Sequence, residues 1–198
     1  PATSSAPSAA PTDDTGNAGA TGDIPSDAPG DSVSPASPVL ENHIPTSING
    51  VTLSIQSAVD ATSLSSGPDG RALDAAVMAL GKQGSDLEVA VADDQTTSID
   101  LTIIGFRVDG IAAAEIRKAV LEAWLAAGTS GVTTSTIAMS GTPVTKVSYG
   151  DGGADEYVLT IGDSVFVLET TDASLAQSAA AALITPNSSP SAQASLGS

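Results

Sequence analysis

The chain has 198 residues, no cysteine, six Lys or Arg against 23 Asp or Glu, and a formal net charge of −17 at pH 7. Without a thiol, these residues form no disulfide, thiolate nucleophile or zinc–thiolate site. The charge disfavours phosphate backbones and anionic lipid surfaces, so no nucleic-acid partner is expected, and no apolar run reaches the roughly 18 residues of a membrane-spanning helix.

Residues 1–46 are dominated by Pro, Ser, Thr, Ala, Gly and Asp, with Ile24, Val33, Val39, Leu40 and Ile44 as nearly the only sizeable apolar side chains. Burial there does not offset backbone entropy, so a disordered tether is expected over 1–46. Its reach is about 35–40 Å, and it resembles the spacers behind the processed N-terminus of exported bacterial proteins. The chain begins with Pro1 rather than Met, as expected of a mature or trimmed form. Residues 185–198 read as a disordered tail. The stretch between, 47–184, is long enough to fold as a single domain without staples.

Within that domain, Val51, Leu53 and Ile55 alternate with polar residues after the Asn49-Gly50 turn, the period-two pattern of a half-buried strand. Asp69 is placed to cap a helix with the apolar stripe Leu73, Val77 and Leu80, ended by Gly81 and Gly84. Leu87, Val89 and Val91 mark a second strand running into Asp93-Asp94. Ile99, Leu101 and Ile103 begin a third, and the apolar phase then switches to Ile104, Phe106 and Val108, which predicts a β-bulge at Gly105. After Asp109-Gly110 comes the longest helix, with Ile116, Val120 and Trp124 at helical spacing and Trp124 assigned to the core. Strands follow near 133–139, 143–149, 157–162 and 164–170, the last two joined by a Gly162-Asp163 turn of type II′. A final helix covers 173–184.

The order β-α-β-β-α-β-β-β-β-α predicts an α+β fold: a mostly antiparallel twisted sheet of about seven strands with three helices on one face. An α-β-β unit recurs at 69–108 and 109–149, each time after Asp-Gly, a spacing compatible with internal duplication.

The catalytic inventory is thin. His43 is the one histidine and lies in or beside the tether, which disfavours a Ser-His-Asp triad and excludes multi-histidine metal sites. No Walker A, dinucleotide or nucleophile-elbow motif is present. A serine–lysine pair would have to use Lys82 or Lys146, neither of which sits in such a motif. For acid–base hydrolysis the candidates are the adjacent pairs Asp93-Asp94 and Asp155-Glu156, although adjacent side chains on a strand diverge. The best constellation for a hard cation such as Ca²⁺ is the glycine-rich loop supplying Asp151, Asp155 and Glu156, whose spacing is not that of an EF-hand. Asn187-Ser188-Ser189 fits an N-glycosylation acceptor.

Four runs, Ile44-Pro-Thr-Ser-Ile-Asn-Gly, Phe106-Arg-Val-Asp-Gly, Ser140-Gly-Thr-Pro-Val-Thr-Lys-Val and Glu156-Tyr-Val-Leu-Thr-Ile-Gly-Asp-Ser-Val-Phe-Val, resemble uncharacterised exported lipoprotein-type α+β domains of Gram-positive and related bacteria. The resemblance implies export and extracellular or cell-surface display, with any lipid-bearing cysteine upstream of Pro1. It carries over no catalytic residue or cofactor. The expected function is a non-catalytic module that binds a protein or envelope polymer. The alternatives are a carboxylate-based hydrolase and a structural subunit of a surface assembly.

Overall fold

The computed structural model describes residues 36–59, 68–127, 131–150 and 152–185. Residues 1–35 of the expected tether and the tail from residue 186, with its Asn187-Ser188-Ser189 acceptor, lie outside the described residues. In chain order the elements are α1 (Pro38–His43), β1 (Ser47–Ile48), β2 (Val51–Thr52), β3 (Ser54–Val59), α2 (Pro68–Ala79), a 3-10 turn (Gly84–Asp86), β4 (Leu87–Asp93), β5 (Thr102–Val108), α3 (Ala113–Ala127), β6 (Thr133–Met139), β7 (Thr142–Ser148), β8 (Asp155–Ile161), β9 (Ser164–Thr170) and α4 (Ala173–Ile184).

The fold is α+β. Seven antiparallel strands form one sheet in the order β3-β4-β5-β9-β8-β7-β6, and β1 and β2 form a separate hairpin. The turns carry the residues their geometry demands. Asn49-Gly50 and Ser140-Gly141 both take positive φ, while in the β8–β9 turn only Gly162 does, as a type II′ hairpin requires. The two α-β-β units exist as read: β4–β5 and β6–β7 are hairpins in opposite halves of the sheet, and α2 packs against α3.

Helices cover both faces of the sheet, where the sequence pattern suggested one. On one face, α1, the β1–β2 hairpin and α4 enclose a core that includes Leu40, Ile48, Ile103, Tyr157, Phe166 and Leu183. On the other, α2 and α3 enclose Leu73, Val77, Phe106, Val120, Val158 and Val165. Trp124 packs against this second core, edge-on to Phe106 with ring centroids 6.3 Å apart. A strand buried on both sides reads as a continuous apolar run, as Val165-Phe166-Val167-Leu168 does.

Two-sided burial also removes the expected bulge at Gly105. Thr102–Val108 pairs residue for residue with Asp93–Leu87, and Thr102–Phe106 with Glu169–Val165. Ile103 and Gly105 face α4 while Ile104, Phe106 and Val108 face α2 and α3, so the apolar residues change face without a break in register. Gly105 is needed for a different reason. A Cβ there would lie 3.0 Å from Phe166 Cε1 and 3.3 Å from Leu40 Cδ2. Gly105→Val is therefore expected to destabilise the domain by about 2 kcal/mol through overpacking, measured as a lower urea midpoint; an unchanged midpoint would contradict that close approach.

The folded unit starts earlier than composition indicates. Pro38–His43 is helical, Leu40 is fully buried, and Ile44 is 4% exposed, all inside the segment assigned to the tether. His43 thus belongs to the domain, with Nδ1 2.8 Å from the Val39 carbonyl oxygen and its ring centroid 6.1 Å from that of Phe166. Asp69 lies inside the first turn of α2, not at its cap.

Candidate functional site

The antiparallel connections bring the ends of β4 and β9 and the starts of β5 and β8 to one end of the sheet. A continuous cross-strand row lies there: Ser54 opposite Asp93, then Thr102, Glu169, Glu156, Val147 and finally Thr134 on the edge strand. Adjacent strands lie about 4.8 Å apart, so Glu169 and Glu156, directly opposite in register, are close like charges. Glu169 is exposed, and Asp93 and Glu156 are half-buried. Asp94, Asp100, Asp155 and Asp172 surround the row.

These neighbouring carboxylates are fixed by local hydrogen bonds. Asp94, 7% exposed, organises the β4–β5 loop. Its carboxylate accepts from the Thr96 N–H and hydroxyl at 2.8 and 2.6 Å, from the Ser98 N–H at 2.5 Å and from the Ile99 N–H at 3.0 Å. The Thr96 hydroxyl is the largest influence and, with the backbone donors, outweighs burial and holds the carboxyl below its usual range. Asp100 accepts from the Thr171 hydroxyl at 2.5 Å and from its N–H at 3.0 Å, which lowers its pKa as well. Asp172 caps α4 by accepting from the Ser174 and Leu175 N–H groups at 2.8 and 3.3 Å.

Asp155 lies on the α4 face. Its carboxylate is 2.7 Å from Lys146 Nζ and accepts from the Tyr157 hydroxyl at 3.4 Å. Burial raises its pKa, but hydrogen bonds from Lys146 and Ser148 and the lysine's charge outweigh burial, and the net shift is downward. Lys146 is raised in return, chiefly by the bond to Asp155, and lies 5.7 Å from the Tyr157 ring centroid. These contacts favour the charged form of the lysine. Burial pushes the Tyr157 hydroxyl up.

The candidate cation ligands do not converge. Asp155 and Glu156 are consecutive on β8 and point to opposite faces, Asp155 toward Lys146 and Glu156 into the cross-strand row. Asp151 lies outside the described residues. No group of three or more metal-ligating side chains occurs among the described residues. Asp93 and Asp94 do not form a facing pair either: Asp93 accepts from Gln95 Nε2 at 2.7 Å while Asp94 turns into its loop. Lys82 lines a shallow pocket of about 500 Å³ near α1, with Val39, Val59, Asp86, Glu88 and Asp109.

At the opposite end of the sheet Arg107 joins three acids. Its Nη1 is 2.5 Å from Glu88, Nη2 3.0 Å from Asp109 and Nε 2.9 Å from Asp163. Glu88 also accepts from the Ser37 hydroxyl at 2.5 Å, tying α1 to the sheet. The bond to Asp163 contributes most to raising the Arg107 pKa, and Asp163 is lowered in turn. Sequence reasoning missed both this hub and the cross-strand row, because each depends on strand register.

These shifts set the pH response. Asp94, Asp100, Asp155 and Asp163 all lie below the ordinary value of 3.8, so their contributions are complete above that pH and fade as pH falls through the lowered folded values. Stability is therefore expected to hold down to about pH 4 and to drop below it. Asp100→Asn is expected to flatten part of that acid limb in urea midpoints taken between about pH 5 and pH 2.5. An unchanged slope would contradict the role of the Thr171 contact.

Comparison with known proteins gave no matching family model, no match among curated proteins and no match among solved structures. Among the described residues no helix is long and apolar enough to cross a membrane.

Proposed function

We propose that this chain is an exported, surface-displayed interaction module that binds a positively charged partner without transforming it. The observation that carries the reading is the cross-strand row at one end of the sheet, a band of three carboxylates, Asp93, Glu169 and Glu156, with Thr102 between the first two, on a molecule of net charge −17. Such a band raises the encounter rate of a cationic surface. The surrounding carboxylates support binding over proton transfer. Their resolved shifts all favour the charged form, whereas a general acid needs a raised pKa near the working pH. The Pro/Ser/Thr composition of the N-terminal segment and the resemblance to exported lipoprotein-type domains support display at an envelope surface.

The test compares two double variants of equal net charge. Asp93→Asn with Glu169→Gln removes charge from the row, and Glu41→Gln with Glu115→Gln removes it elsewhere. With a lysine-rich peptide as probe, the row variant is expected to associate about fivefold more slowly than the control in stopped-flow measurements at low salt. Equal rates would remove the row from the binding surface.

A further inference from the structure

The two edges of the seven-stranded sheet are treated differently. At β3 the edge is occupied in part by the start of the domain: α1 packs against the strand, and the Ser37 N–H donates to Ser57 Oγ at 3.0 Å. At β6 no further strand follows among the described residues. Thr133, Thr134, Ser135, Thr136 and Ala138 are exposed, and Ile137 is half-buried. Edge strands are ordinarily guarded by charges, prolines, bulges or short length. This one is seven residues long, Thr-Thr-Ser-Thr-Ile-Ala-Met, with no charge and no proline, and it pairs with β7 without a bulge.

We infer that β6 is a docking edge for an extended, positively charged polypeptide segment, which adds antiparallel or parallel as an eighth strand. The inference rests on the proposed function and names the partner class for that surface. An unpaired edge presents a row of N–H and C=O groups that only an extended backbone satisfies along its length, and the β-branched side chains of β6 favour a pleated neighbour. Charge selects between occupants. A second copy would bring another net charge of −17 against the first, whereas a basic segment is attracted by that field and meets no guarding lysine on the strand. An added strand beside β6 lies three strands from Glu156 and four from Glu169, roughly 14 and 19 Å at the usual spacing, so these carboxylates act on the partner through their field and not by contact.

The experiment uses the full chain and three nine-residue probe peptides: one alternating lysine with valine and threonine, one with glutamate in place of each lysine, and one lysine peptide with a central proline. Amide exchange is followed by NMR. The lysine peptide is expected to slow exchange within 133–139 at least about tenfold, and the glutamate and proline peptides to leave it unchanged. Thr136 is exposed, so both Thr136→Lys and Thr136→Glu are expected to keep the wild-type melting temperature. The lysine variant is expected to weaken binding of the lysine peptide at least about tenfold, and the glutamate variant to retain or strengthen it. Binding that leaves 133–139 unprotected, or that ignores both variants, overturns strand addition and leaves the acidic row as a binding surface. Doubling of the mass by light scattering without peptide, with protection at 133–139, overturns the basic partner in favour of a second copy. No binding by the lysine peptide at low salt overturns both readings.

Discussion

Leu40→Ala is expected to lower the stability of the domain by about 3 kcal/mol, an effect characteristic of a fully buried core leucine. Composition alone would make this substitution neutral, because Leu40 lies in a stretch of Pro, Ser and Ala. In the structure its side chain is fully buried, and it sits over Gly105 of β5 beside Phe166 of the central strand β9. The position has little freedom to relax. Ser37 caps the short helix, Glu88 accepts from the Ser37 hydroxyl, and Gly105 leaves no side chain to fill the void. Val39→Ala, one residue away and 38% exposed, is the control, expected to cost less than about 1 kcal/mol. Urea melts of the three chains decide the matter; equal midpoints would return α1 to the tether.

Arg107→Ala is expected to cost a similar amount, about 3 kcal/mol, for an electrostatic reason. The guanidinium is 15% exposed and its Glu88 partner 17%, so removal leaves a carboxylate in a poorly solvated position near Asp163 and Asp109. Breaking a buried pair from one side is more damaging than replacing both partners. Asp109 and Asp163 are 87% and 54% exposed, and their own contributions are small. In the Glu88→Gln background the same Arg107→Ala change is expected to cost less than half as much, because the stranded charge is gone. Arg107→Lys is expected to recover only part of the loss, since an ammonium lacks the planar fork that reaches three acids at once. Additive single and double variants in thermal or urea melts would contradict coupling through Glu88.

The order of strands and helices from β3 onward was legible because its signals are local, whereas the single strand read through Val51, Leu53 and Ile55 is two, β2 and β3, in separate sheets. Alternation marked Leu87, Val89 and Val91, helical spacing marked Ile116 and Val120, and Gly162-Asp163 closed its hairpin as read. The short helix was missed: Ser37-Pro38 at cap and first-turn positions followed by Glu41 is a local signal for it, but low hydrophobicity over the wider segment led 1–46 to be read as tether. Layering was harder. The change of apolar phase at Gly105 has two physical sources, a bulge or burial on both faces, and only the facing strands distinguish them. The candidate site was the least visible part. Asp93, Glu156 and Glu169 are separated in sequence and meet through register alone, while the adjacent Asp155 and Glu156 are divided by the strand's own alternation.

The most direct test of an interaction module steered by charge is the association rate of the lysine peptide as a function of ionic strength. An account based on the acidic band requires the rate to fall about tenfold or more between 10 and 300 mM salt, as the Debye length contracts from about 30 Å to less than 8 Å. A rate that is flat across that range, with binding intact, would contradict it.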